Sequence, residues 1–186
     1  ELVKLAFSGA FMMGIDCSAF EIMVLMAARV SVLDLDAHNI TLMICGLLFM
    51  GFPFSIGIAA SIRVGNLLGA GETHRAIKAS VLFASVAIVV VCITAVSVYV
   101  GRNSIGSLFS IDKDVCNLVG KLLPILAIFI TLDSACDGIL RAMGKQFVIF
   151  VYRLISFFLI GIPVAYHLCF KENLGVRGLW IALAVA

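Results

Sequence analysis

The chain consists of long apolar runs separated by short polar connections. Six runs stand out, and they lie at residues 2–28, 37–62, 79–100, 118–140, 147–170 and 176–186. A helix that crosses a membrane needs about 20 predominantly apolar residues, and backbone amides in lipid must find their partners within the segment. The pattern therefore predicts an all-α bundle of six transmembrane helices, of which the sixth is incomplete.

Prolines occur inside three of these runs, at Pro53, Pro124 and Pro163. Proline has no N–H to donate and bends the helix that contains it, so we expect a kink at each position. Six Lys or Arg side chains fall on each side of the predicted membrane, and the positive-inside rule therefore gives no orientation.

The composition narrows the class of protein further. Of the 186 residues, 63% are apolar and 13% are charged, whereas soluble domains average about 45–50% and about 25%. This balance excludes a secreted disulfide scaffold, a disordered tail and a nucleic-acid-binding module. It indicates a polytopic protein of the plasma membrane or an internal membrane, with the lipid bilayer as a partner. Because the chain starts at Glu1 and stops inside an apolar run, we expect a piece of a longer protein.

Four carboxylates lie inside the apolar runs, at Asp16, Glu21, Asp133 and Asp137. An aspartate at the centre of a membrane helix costs about 2.5–3.5 kcal/mol, and such residues usually face a wet cavity or an ion pathway. These acids are therefore our candidates for ion coupling and for binding a substrate cation. Asp16, halfway along its run, is the first of them, and Arg153 is the one base at comparable depth. The alternative is an acid that is hydrogen-bonded within a helix interface.

The spacing of the four acids along the chain indicates which of them share a helix face. Asp16 and Glu21 are five positions apart, which is about 140° around a helix, so they face different neighbours. Asp133 and Asp137 are four apart and share a face. Asp137 also precedes Arg141 by four residues, so a salt bridge at the helix end, with Arg141 as the structural partner, is an alternative for that acid.

The remaining polar candidates are few. His38 and Asn39 open the second run and either line a cavity mouth or lie at the membrane interface. The three histidines have no metal-ligand spacing, the six cysteines form no CxxC pair, and no nucleophile or phosphate-binding motif is present. We therefore expect no enzyme activity, no metal and no cofactor other than a coupling ion.

Four blocks of sequence resemble the multidrug and toxic compound extrusion (MATE) family of transporters. PFSIGIAASIRVGNLLGAG at 53–71, with AHNI at 37–40, is similar to the eighth helix of that family. GILRAMGKQ at 138–146 is similar to the end of the tenth helix. IGIPV at 160–164, with LGVRGLW at 174–180, is similar to the eleventh helix and the entry to the twelfth. The blocks follow the order of the family and cover most of the chain.

The resemblance implies the second lobe of a twelve-helix protein, whose N-terminal six-helix lobe is the missing partner, and a start at the cytoplasmic face. It also implies an antiporter that exports organic cations or other xenobiotics in exchange for H⁺ or Na⁺. Asp16 falls where the family has a seventh-helix acid, and Glu21 where eukaryotic members often have a second. Asp133 departs from the family pattern, because it precedes Arg141 by eight residues and the family acid does so by eleven.

Three alternatives stay open at this point. A flippase-like relative would move amphiphilic or lipid-linked substrates through the same fold, and a membrane scaffold would transport nothing. An intramembrane aspartyl protease would need a Gly-x-Gly-Asp motif, which neither Asp133 nor Asp137 has. The antiporter hypothesis requires that water reaches Asp16 and Asp133 and that permanent basic neighbours do not lock both.

Overall fold

A computed structural model of the chain describes residues 2–133, 140, 143 and 146–185. The α-helices are α1 (Leu2–Val30), α2 (Val32–Gly51), α3 (Pro53–Gly69), α4 (Thr73–Ile105), α5 (Lys113–Asp133), α6 (Gln146–Arg153), α7 (Ile162–Tyr166) and α8 (Val176–Val185). A 3₁₀ turn follows α4 at Gly106–Leu108. Within the described ranges the fold consists of helices and the turns that join them, as predicted.

The first predicted connection, residues 29–36, is almost entirely helical. Ser31 alone interrupts the helices there, in an extended conformation between α1 and α2. Its Oγ accepts a hydrogen bond from the backbone N–H of Asp34 at 3.0 Å, which satisfies one of the free amides at the start of α2. The expectation of a polar loop was therefore wrong, because a side-chain cap lets the second helix begin at once.

The second apolar run forms two helices rather than one kinked helix over 37–62. Phe52 separates α2 from α3, and Pro53 occupies the first turn of α3. The first turn of a helix tolerates proline because its N–H groups have no partner within the helix. Pro124, in contrast, lies inside α5.

The turn between α3 and α4 is short, so α4 begins six residues before the predicted start at 79. Gly71 has a φ of +78°, and the N–H of Glu72 bonds to the carbonyl of Leu67 at 2.9 Å. This is the usual way in which a glycine in the left-handed region ends a helix. The polar residues after Arg63 thus extend the two helices instead of forming a loop.

The fifth run is continuously helical from α6 to Lys171, and it is wound more widely in two places. Leu154–Gly161 and His167–Lys171 are π-helical and flank α7. Pro163, which cannot donate a backbone hydrogen bond, lies in α7 between them. Widened turns thus lie on either side of this proline, and the kink expected there stays a prediction.

The core lies where α5 packs against α2, α4 and α8, while α1 packs against α2 and α6. Its largest buried side chains include Trp180, Met23, Leu122 and Leu126. The α3–α4 hairpin has a small separate cluster of its own, formed by Val64, Leu67 and Ala76.

Three helical stretches of the described chain are long and apolar enough to cross a membrane, and they are Val32–Gly69, Thr73–Leu108 and Phe147–Lys171. Large apolar side chains remain exposed along α4, among them Val81, Leu82, Val89, Ile93 and Val96. Such a surface requires an apolar surrounding, because transferring it into water is unfavourable.

Candidate functional site

An ion pair joins the middle of α1 to the end of α6. Arg153 Nη1 donates a hydrogen bond to Asp16 Oδ1 at 3.2 Å. The Arg153 side chain is only 6% exposed, and the Asp16 side chain is 24% exposed. The guanidinium is therefore held inside the lobe, whereas the Asp16 side chain is partly exposed.

Aromatic rings surround this pair on the protein side. Arg153 Cζ lies 5.8 Å from the centroid of the Phe157 ring. Phe20, one turn along α1 from Asp16, contacts Phe157 at 6.3 Å and Phe129 at 6.4 Å between ring centroids. An aromatic face near a cation is favourable, so Phe157 stabilises the buried Arg153 guanidinium, and the other two rings pack behind it.

Of the other carboxylate candidates, the structure describes the side chain of Glu21. Glu21 is exposed on α1, as its 140° offset from Asp16 predicts. Asp133 ends α5, and its side chain lies outside the described residues, as do Asp137 and Arg141 altogether. The predicted roles of Asp133 and Asp137, and the salt bridge to Arg141, stay predictions.

The two cavity candidates on α2 have different surroundings. His38 is fully buried, and its ring centroid lies 5.6 Å from that of Trp180 in α8. Within the described residues neither ring nitrogen of His38, nor Trp180 Nε1, has a hydrogen-bond partner. Asn39 is exposed. His38 is thus part of the packed interface between α2 and α8, and a cavity lined by either residue stays a prediction.

Sequence reasoning missed Asp34, which it placed in a loop. Asp34 Oδ1 accepts the backbone N–H of Val176, the first residue of α8, at 3.0 Å. The preceding residue Gly175 has a φ of +57°, and a Cβ there would lie 2.9 Å from the same oxygen. The Ser31-x-x-Asp34 spacing is typical of a capped helix start and would have indicated structure at this point.

Long apolar helices that surround a paired carboxylate and arginine define a polytopic helical membrane protein with charge inside its bundle. The MatE family model matches residues 9–167, and the chain belongs to that family of integral membrane proteins. The predicted family and the predicted all-α membrane fold are confirmed.

Individual relatives agree with this assignment. Multidrug and toxin extrusion protein 2 of Mus musculus is 34% identical over 98% of this chain and 32% of its own length. Multidrug and toxin extrusion protein 1 of Homo sapiens is 29% identical over the whole of this chain and 33% of its own length. The crystal structure of the eukaryotic MATE transporter AtDTX14 superposes with a TM-score of 0.91 and 30% identity, over 98% of this chain and 42% of that one.

The chain therefore spans about a third of the length of the curated relatives that it matches. Those relatives are named as extrusion proteins rather than as enzymes, in agreement with the expectation from the missing catalytic motifs. The activity of the whole protein, its substrates and its coupling ion belong to the proposal that follows.

Proposed function

We propose that this chain forms one lobe of a secondary antiporter that exports organic cations or other xenobiotics in exchange for H⁺ or Na⁺. In this proposal Asp16 is the coupling acid. The observation that carries it is a partly exposed Asp16 side chain at the centre of an apolar helix, where an acid is costly and marks an ion or substrate pathway. The names of the relatives support the substrate class.

Any cation that binds Asp16 meets Arg153, the ion-pair partner of that acid. An arginine stays charged at any pH that the protein meets, so Arg153 is a permanent cation beside Asp16. A proton, a sodium ion or an organic cation that binds Asp16 has to compete with the Arg153 guanidinium 3.2 Å away. Arg153 does not close the site, because the Asp16 side chain is partly exposed. The partial exposure of Asp16 thus supports the antiporter hypothesis, which requires that water reaches this acid.

Competition for one carboxylate becomes antiport when the competitors favour different states of the protein. A ligand shifts a conformational equilibrium only by its differential affinity for the two states. In the proposed cycle, an ion that enters from outside binds Asp16 and displaces the organic cation. Release of that ion inside restores the carboxylate to which the next organic cation is attracted.

The test uses the full-length transporter in lipid vesicles. Uptake of a fluorescent organic cation is driven by an imposed pH gradient in one arm and by an imposed Na⁺ gradient in the other. Asp16→Asn should abolish uptake in the arm that drives the wild-type protein, with rates expressed per amount of folded protein in the vesicles. Near-normal coupled uptake by Asp16→Asn would remove Asp16 from the mechanism.

Asp36→Asn is the matched control, because Asp36 is an exposed aspartate in the first turns of α2 and its loss should leave uptake unchanged. If the wild-type protein moves no cation under either gradient, the antiporter proposal fails, and the flippase-like alternative is then examined with a labelled amphiphile.

A further inference from the structure

A basic pocket lies at the α3–α4 turn, far along the chain from the Asp16 site. It has a volume of about 460 Å³. Its cationic wall consists of Arg63 from α3 and of Arg75 and Lys78 from α4, and its apolar wall includes Leu67, Leu82 and Phe83. The two helices are held together there by the tight turn at Gly71.

The charges of this pocket are only partly compensated. Glu72 Oε2 accepts a hydrogen bond from Arg75 Nη1 at 2.8 Å. Among the residues from 53 to 129, whose side chains the structure describes, no carboxylate lies within ion-pair distance of Arg63 or Lys78. Three cations against one acid leave a surplus of positive charge around a concave surface.

The pocket also coincides with the boundary of the apolar segments. Residues 37–62 carry no charge before Arg63, and residues 79–100 carry none after Lys78. Leu82 is 63% exposed one turn beyond Lys78. An occupant that filled both walls would therefore have an anionic end beside the cations and an apolar end against Leu82 and Phe83.

We infer that this pocket binds the headgroup of an anionic phospholipid, with an acyl chain of that lipid packed along the start of α4. Phosphate is a strong acceptor for arginine and lysine, and basic pockets between membrane helices bind anionic headgroups. The combined charge and apolar surface favour a lipid over a soluble anion, which would leave Leu82 and Phe83 uncovered. The inference depends on the membrane location of the chain and not on its transport activity.

The test places the full-length protein in nanodiscs of phosphatidylcholine that contain a minority of phosphatidylserine, and bound lipid is identified by native mass spectrometry. We expect retention of phosphatidylserine in preference to phosphatidylcholine. The triple variant Arg63→Gln, Arg75→Gln, Lys78→Gln should lose this preference, by about fivefold for each charge removed. Glu72→Gln should increase retention, because it leaves Arg75 without its competing acid.

A second triple variant, Lys113→Gln, Lys121→Gln, Lys171→Gln, removes three exposed lysines elsewhere and should retain the lipid like the wild type. Thermal unfolding in phosphatidylcholine alone checks that both triple variants fold. The inference is overturned by a wild-type protein without preference for phosphatidylserine, or by undiminished retention in the first triple variant. Displacement of the lipid by soluble phosphoserine at equal concentration would also overturn it, because the occupant would then be a soluble anion.

Discussion

Two ion pairs of this lobe show how little distance alone says about an electrostatic contact. Arg153–Asp16 joins two helices at 3.2 Å, and Arg75–Glu72 lies within one helical turn at 2.8 Å. The shorter pair is the weaker one, since its side chains are 69% and 40% exposed and water screens exposed charges. The longer pair has a nearly buried arginine that cannot lose its charge.

The same contrast extends to the packing around each pair. On one side of the lobe α1 packs against α6, and α8 packs against α5 and buries Trp180. The α3–α4 hairpin has the small cluster around Leu67 near its turn; farther along α4, Val91 and Val98 join the main core, while the other face of α4 stays exposed. Tight packing with a paired buried charge is suited to a site that changes state, whereas an open hairpin with surplus charge is suited to contact with the bilayer surface.

The largest expected effect comes from breaking the buried pair. Arg153→Gln and Asp16→Asn should each lower the free energy of unfolding, by about 3 kcal/mol, because each removes this ion pair from a site where one partner is nearly buried. Asp16→Asn should be the more damaging, since Arg153 is the deeper group and cannot deprotonate. The double variant should recover much of the loss. Thermal unfolding of the full-length protein measures all three.

The matching two single variants and one double variant at Arg75 and Glu72 are the control for that experiment. The coupling free energy between Arg75 and Glu72 should not exceed about 0.5 kcal/mol, as for other exposed ion pairs. Equal coupling in the two cycles would contradict the distinction drawn between the two regions.

An intermediate effect is expected from a methyl group added at a helix contact. A Cβ at Gly178 in α8 would lie 2.8 Å from the carbonyl carbon of Leu168 and 2.9 Å from the amide nitrogen of Cys169. Because both are backbone atoms, Gly178→Ala should destabilise the protein by about 2 kcal/mol. Gly65→Ala in α3 meets nothing within 4 Å and should cost nothing. A similar midpoint of thermal unfolding for the two variants would show that the α8 contact is not tightly packed.

The smallest of the three effects concerns the junction of α2 and α8. Asp34→Ala removes the acceptor for Val176 N–H and the partner of Ser31, and we expect a loss of about 1 kcal/mol. Asp34→Asn keeps a side-chain oxygen and should retain part of the stability. Asp36→Ala, two residues along and exposed, is the control. A loss as large for Asp36→Ala as for Asp34→Ala would mean that the hydrogen bond to α8 is not the cause.

The helices of this lobe could be predicted because apolar length is a property of each segment alone. The fifth run was placed at 147–170, and the helix occupies 146–171. The termini were less predictable where a single side chain decides them, as Ser31 does at the start of α2. The break at Phe52 was expected as a kink from Pro53, but a sequence does not say whether a proline bends a helix or begins a new one.

The site required tertiary information that local patterns do not contain. Arg153 could be identified as a deep base, yet its partner Asp16 lies 137 positions away, and four acids were available to pair with it. The contact of His38 with Trp180 also could not be predicted from local sequence, because it joins α2 to α8. The capping role of Asp34 had a local signal in its spacing from Ser31, but its bond to Val176 had none.

The hydrogen bond from Val176 to Asp34 gives α2 and α8 a common end. If either helix tilts about that end, the other is carried with it, because the aspartate belongs to the first turn of α2 and its donor to the first turn of α8. The break at Phe52 lies at the opposite end of α2, so a change of angle between α2 and α3 there would leave the shared end of α2 and α8 in place.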